Sequence, residues 1–263
     1  MMSKKHLVVL ILLMALCACS KPSETAIQTA IAQTQSAEDI FPTVQTDLEA
    51  DLESETTVQD CALTTPYHED WPVVFCDTFD DNRNNWEVGS DSGDLSQSIL
   101  AIEDGKLVVD LSGKNNSGYL TGVIQWFYVG DSRDFVITLK GDVFSKYKSH
   151  SWGIIFNEES NQDFAAFMIS SSDGSYYLTR YEDGEQKFPI PGKSNGAIVW
   201  DEQNELTIVA EDGYYQFYIN GEFVNDYEAD DIPGTNIAIA IWTAEGATAR
   251  FEFDDLLIKT PAN

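Results

Sequence analysis

The chain has 263 residues, with 15 Lys and Arg against 44 Asp and Glu and a formal charge of −29 at neutral pH. Phosphate recognition needs a basic footprint, so this balance excludes nucleic acid as a partner. An anionic membrane surface would repel the body of the chain, and the acidity reads as solubility, with divalent cations or cationic partners as the alternatives.

In chain order, Met1-Met2-Ser3-Lys4-Lys5 precedes an unbroken apolar run from Leu7 to Leu16, the charged n-region and short h-region of a secretory signal. The run is too short to span a membrane, which takes about 20 apolar residues. Leu16-Cys17-Ala18-Cys19 resembles the acceptor site of bacterial lipoproteins, with a large aliphatic residue three places before a cysteine and a small one directly before it. Taking Cys17 as acceptor would put Leu16 where a small side chain belongs, so Cys19 is the preferred acceptor. The resemblance implies a signal peptide over 1–18, lipid on Cys19, and a chain held outside the cytoplasm on the cell membrane by that lipid alone. An ordinary cleaved signal with incidental cysteines is the alternative.

Loss of 1–18 takes Lys4 and Lys5 with it, leaving 13 Lys and Arg against 44 Asp and Glu, a formal charge of −31. With Cys17 removed and Cys19 lipidated, Cys61 and Cys76 remain of the four cysteines. In an exported chain the two can pair, closing a loop of about 15 residues and adding about 3 kcal/mol on the chain-entropy model. Two buried free thiols are the alternative.

Residues 19–60 read as an acidic, disordered tether, since no Lys or Arg occurs between Lys21 and Arg83 and the stretch is rich in Thr, Ser, Gln, Ala, Glu and Asp. Glu24–Gln35 can form a short helix with Ile27 and Ile31 on one side, too thin a stripe to build a core. "YHEDW" at 67–71 offers His68, Glu69 and Asp70 in succession. Consecutive residues do not share a face of a regular element, so the stretch reads as solvated linker rather than a metal or acid–base cluster.

The domain is assigned to 61–263, with the change in composition at about Trp71. From there aromatic and β-branched residues come in short alternating runs: "VVFCDTF", "KLVVDLS", "YLTGVIQWFYV", "DFVITLKGDVF", "SWGIIFN", "DFAAFMISS", "GSYYLTRYE", "NELTIVAE", "YYQFYING", "NIAIAIWTA" and "ARFEFDDLLIK". Each reads as a strand. "EDGK", "SDGS", "EDGE", "EDGY" and "INGE" supply hairpin turns. Strands without a βαβ rhythm predict an all-β, two-sheet antiparallel sandwich. Alternation in "YYQFYING" puts Tyr215, Phe217 and Ile219 on one face and Tyr214, Gln216 and Tyr218 on the other.

The order of "FDDNRNNW", "EDGKLVV", "DFVITLKGDV", "WGIIF", "SDGSYYLTRYEDG", "NELTIVAEDGYYQFYINGEFV" and "ARFEFDDLLI" resembles the concanavalin A-like lectin/glucanase jelly roll, in its laminin-G-like and keto-disaccharide-hydrolase-like branches. The resemblance covers almost all of 73–260. It implies two curved sheets and a concave face that often holds carbohydrate.

Retaining glucanases of that fold carry Glu-x-Asp-x-x-Glu or Glu-x-Asp-x-Glu on one strand, placing three carboxylates on one face. The sequence contains no such pattern. In "FEFDD", alternation puts Glu252 and Asp254 on one face with Leu256 in the third place, so these acids read as structural. The histidines are His6, His68 and His150, and no motif supports a Ser-His-Asp triad. No catalytic residue is assigned.

The resemblance also implies one structural Ca2+, with Asp77, Gly105 and Asp254 in the places of its oxygen ligands. For a sugar, aromatic planes beside polar groups are required, and Trp126, Trp152, Tyr177, Arg180 and Trp242 are the candidates, with a place in the core as the alternative for each. Arg180 shares a face with Tyr176 and Leu178 and reads as an ion pair or a substrate clamp. The expected function is a non-catalytic module for a glycan or other surface ligand. The alternatives are a glycoside or keto-sugar hydrolase of the same fold and a protein-interaction scaffold.

Overall fold

The computed structural model describes residues 62–262 except 93–95, 114–119, 129–131, 146–149, 161–162, 171–172, 201, 231, 233 and 244–246, and only the backbone of 96, 113, 120–128, 145 and 160. The expected signal peptide, tether, Glu24–Gln35 helix, Cys17, Cys19 and Cys61 lie outside the described residues.

The strands are β1 (Val73–Asp77), β2 (Gly89–Ser92), β3 (Ser96–Glu103), β4 (Lys106–Gly113), β5 (Leu120–Tyr128), β6 (Phe135–Ser145), β7 (His150–Ser160), β8 (Asp163–Ser170), β9 (Ser175–Glu182), β10 (Glu185–Ser194), β11 (Asn204–Glu211), β12 (Tyr214–Ile219), β13 (Glu222–Glu228), β14 (Asn236–Thr243) and β15 (Thr248–Lys259). They form two antiparallel sheets. One has nine strands in the order β13-β12-β11-β6-β15-β4-β3-β2, with β1 also paired to β15; the other has six, β10-β9-β8-β7-β14-β5.

Turn chemistry is as the sequence predicts. Asp104-Gly105, Asp183-Gly184, Asp212-Gly213 and Asn220-Gly221 all have positive φ at both residues, the backbone of the type I′ turn whose twist matches that of paired strands.

Inward-facing residues of both sheets make one core, with Leu107, Phe135, Ile137, Leu139, Ile208, Phe217, Phe251 and Phe253 from the nine-stranded sheet and Trp152, Ile154, Phe156, Phe167, Leu178 and Ile239 from the other. Along β15 the inward set runs Phe251, Phe253, then Leu256, Ile258. The step of three coincides with a register shift against β6 between Phe253 and Leu256, a bulge that admits one extra residue and re-aims the strand. Strict alternation had put Glu252 and Leu256 on one face; the bulge separates them, and Leu256 is core.

The outer face of the nine-stranded sheet carries ion pairs. Lys106 Nζ donates to Glu252 (2.8 Å), Arg250 Nε to Glu252 (2.9 Å) and Lys140 Nζ to Asp255 (2.5 Å). Burial alone would raise the Glu252 carboxyl, but the hydrogen bonds from Lys106 and Arg250 outweigh it and hold the group below its ordinary value.

The stretch 67–71 packs on this body, correcting its reading as solvated linker. Tyr67 lies against Tyr218 with ring centroids 4.5 Å apart, His68 stacks on Trp71 at 3.8 Å, and Lys259 donates to the His68 carbonyl. Aromatic contact and one backbone acceptor hold the segment, while Glu69 and Asp70 stay exposed. Cys76, in β1, is disulfide-bonded.

Alkaline pH is expected to weaken the fold. Burial pushes the Tyr215 phenol from 10 up to about 12, and the hydrogen bonds to Glu252 and Asp255 raise Lys106 and Lys140 above 10.5. A group with a raised folded pKa contributes stability that is complete below its unfolded value and lost as pH rises through the folded one. Urea midpoints should therefore be flat from about pH 8 to about pH 9.5 and fall between about pH 10 and about pH 12. A midpoint that rises in that upper window contradicts this assignment.

Candidate functional site

The face of the six-stranded sheet turned away from the core is floored by apolar side chains: Ile155 from β7, Ala166 and Met168 from β8, and Ala238 and Ala240 from β14, with Phe164, Tyr177 and Trp242 packed against them. A groove of about 650 Å³ runs over this floor, bordered by the hydroxyls of Ser151, Ser170, Ser175 and Thr179, the Gln186 amide and the rings of Tyr181 and Phe188. The volume lies in the usual range of small-molecule sites.

Period-two alternation builds the groove. In "SYYLTRYE" the odd residues Ser175, Tyr177, Thr179 and Tyr181 line it, while Tyr176 and Leu178 enter the core. β10 closes one side as an edge strand, and its Pro189 and Pro191 limit further strand pairing there.

The rings are held in place. Phe164 stacks on Tyr181 at 4.6 Å between centroids with the planes 23° apart, and Tyr177 tilts against Phe188 at 6.2 Å. Burial raises the Tyr177 phenol, and its hydrogen bond with Ser151 offsets part of that rise. Gln186 donates its amide to the Thr179 hydroxyl (3.1 Å), which donates to the Lys187 carbonyl (3.1 Å). Asp173 is the carboxylate among the described lining residues, and it accepts from both the backbone N–H and the hydroxyl of Ser175.

Of the expected ligand residues, Tyr177 and Trp242 line the groove. Trp126 lies opposite Ala238 in the β5–β14 register, and its side chain lies outside the described residues. Trp152 and Arg180 do not reach the groove. Trp152 is fully buried between the sheets, edge-on to Phe253 at 5.7 Å; its neighbour Ser151 faces the groove instead. Arg180 does share a face with Tyr176 and Leu178, but that face is the core side, where it pairs with Glu182 at 2.8 Å and donates to the Tyr227 hydroxyl at 3.4 Å. A one-residue change in face assignment moves every side chain of a strand to the other side.

The sequence reading passed over Phe164, Tyr181, Gln186 and Phe188. The available signal was the small-residue floor in "NIAIAIWT", where Ala238 and Ala240 alternate with the core residues Ile237, Ile239 and Ile241 and leave room above the sheet.

Asp77, Gly105 and Asp254 come together where the end of β1 and the start of β4 meet alongside the middle of β15. Asp77 pairs with Leu256, and Leu107, two residues beyond Gly105, pairs with Phe253. The Asp77 carboxylate already accepts from the Phe79 N–H, the Asn84 amide and the Trp86 indole, all at 2.7 Å. Asp254 accepts from the Gln203 amide at 3.1 Å. Among the described residues no group of three His, Cys, Asp or Glu side chains is placed to hold a metal ion, so a Ca2+ here would depend on backbone oxygens and water.

No family model and no curated protein matches the chain. Solved structures do. One, reported for endo-acting O-glycanases that prominent members of the human gut microbiota express to initiate mucin breakdown, aligns at TM-score 0.52 and 11% identity over 73% of this chain and 100% of its own. The catalytic domain of an endo-1,3-beta-glucanase (laminarinase) from Thermotoga petrophila aligns at 0.50 and 12% identity over 73% and 99%. The laminarinase catalytic domain from Thermotoga maritima gives the same four figures. The chain has the jelly-roll fold of these glucanases. At such identity the likeness extends to the fold alone, so the groove must speak through its own residues.

Proposed function

We propose that the protein binds a carbohydrate in the groove of the six-stranded sheet and does not cut it. The observation that carries this reading is the floor itself, where Trp242, Tyr177, Phe164 and Tyr181 stand beside the hydroxyl and amide groups of Ser151, Ser175, Thr179 and Gln186. Sugar rings lay their C–H faces on aromatic planes while their hydroxyls take hydrogen bonds, and this face offers both. The glucanase names borne by structures of the same fold support the choice of carbohydrate.

Those names also favour a second reading, a glycoside or keto-sugar hydrolase. Retaining cleavage needs two carboxyl groups about 5 Å apart and inverting cleavage two at about 6.5–9.5 Å. The described lining supplies Asp173 alone, engaged with Ser175. A glycan array on purified protein, followed by reducing-sugar assays on each bound glycan, tests the choice. Binding without product is expected; product formation by pure protein installs the hydrolase reading.

The same proposal places the domain outside the cytoplasm on a lipid carried by Cys19, with Cys61 paired to Cys76. Cys19→Ala should move the protein from the membrane to the soluble fraction, and its retention in membranes contradicts the anchor. Intact mass two hydrogens below that of the reduced form supports the pair; two alkylatable thiols without reduction contradict it. A structural Ca2+ would be held by Asp254 and the carbonyls of Asp77 and Gly105. EDTA should then lower the Tm and Ca2+ restore it, whereas a Tm indifferent to both removes the ion.

A further inference from the structure

The groove strands are free of cations on the face that binds. Arg180, Lys187 and Lys193 are the Lys and Arg residues of the six strands. Arg180 lies on the core side with Tyr176 and Leu178, and the β9–β10 register pairs Lys187 with Arg180 and Lys193 with Tyr176. Paired residues share a face of the sheet, so these three sit on the side away from the groove. Gln186, paired with the groove residue Tyr181, lines it. The described lining therefore combines rings, hydroxyls and an amide with one carboxylate, Asp173, within a chain of formal charge −29.

We propose that the groove selects uncharged glycans and rejects those bearing uronate, sulfate or sialate groups. This rests on the carbohydrate reading above. An anionic sugar seated on Tyr177 and Trp242 would lose water from its charge with no cation among the described lining residues to receive it, an uncompensated cost. Asp173 and the surrounding acidic surface add repulsion. A neutral ring loses little and gains the stacking surface. Rejection here comes from the absence of a partner for the wrong ligand as much as from contacts to the right one.

The test uses the full chain on an array of neutral glycans paired with their carboxymethylated or sulfated forms, followed by titration of each bound member. Neutral members should bind at least about tenfold more tightly than their anionic partners. Their Kd should change less than about twofold from about 0.1 M to about 1 M NaCl, over which the screening length falls from about 10 Å to about 3 Å. Gln186→Lys, on an exposed edge strand, should shift preference toward the carboxymethylated form by about tenfold, since it places a cation at the groove. Anionic members bound as tightly as their neutral partners by wild-type protein overturn the selectivity and leave carbohydrate binding intact. Failure of both forms to bind overturns the carbohydrate reading and the selectivity with it.

Discussion

Trp152→Ala is expected to cost about 3–5 kcal/mol of stability, the range for removing a fully enclosed aromatic side chain. Its indole is fully buried, meets Phe253 edge-on and lies against the Gly141 backbone, so truncation leaves a void bounded by both sheets. Trp152→Phe should cost far less. The indole Nε1 is buried with no hydrogen-bond partner among the described residues, and phenylalanine removes that unsatisfied donor while keeping most of the packing. Urea unfolding of the two variants checks both expectations. A Trp152→Ala protein as stable as wild type would place the side chain outside the core.

A comparable loss, about 3 kcal/mol at the upper end of overpacking, is expected from Gly153→Ala, one residue along. A Cβ at 153 would fall inside the van der Waals shell of the Phe167 carbonyl oxygen, 2.8 Å from the Met168 Cα and 2.9 Å from its sulfur. The first two obstacles are backbone of the paired strand β8, whose position is fixed on its other side by β9. Relief requires parting β7 from β8 directly under the groove. Gly192→Ala, where an added Cβ meets nothing within 4 Å, is the control and should change stability little. A Gly153→Ala protein with an unchanged urea midpoint would contradict the close approach of these strands.

Most of the fold was legible because antiparallel sandwiches write it into local chemistry. Asp-Gly and Asn-Gly pairs fix the turns, and alternation such as Tyr215, Phe217, Ile219 marks the inward face. The strands passed over fail those local tests. β2 is Gly-Ser-Asp-Ser with every residue exposed, β3 opens on polar residues, and β10 carries two prolines tolerable only at a sheet edge.

The site was harder to read for a physical reason. Both faces of the six-stranded sheet are apolar, one because it meets the other sheet and one because it floors the groove. In β7, "SWGIIF" offers a tryptophan on the buried side and only serine, glycine and isoleucine on the open one. Large aromatics therefore point to the wrong face, and only register against β8 and β14 resolves the choice. Tyr177 and Trp242 fall on the open face, whereas Arg180 follows Leu178 inward. The bulge in β15 is equally invisible in "FEFDDLLI", because an extra residue leaves no compositional mark.

The central claim is that the aromatic floor of the groove holds a sugar. Isothermal titration of one array-identified glycan into wild-type protein and Trp242→Ala, each shown folded by its far-ultraviolet spectrum, tests it most directly. Loss of one central stacking plane should weaken binding by about tenfold or more, as truncation of a contact hot spot does. Equal affinity of the folded Trp242→Ala protein and wild type would contradict the claim and move the binding site off this sheet.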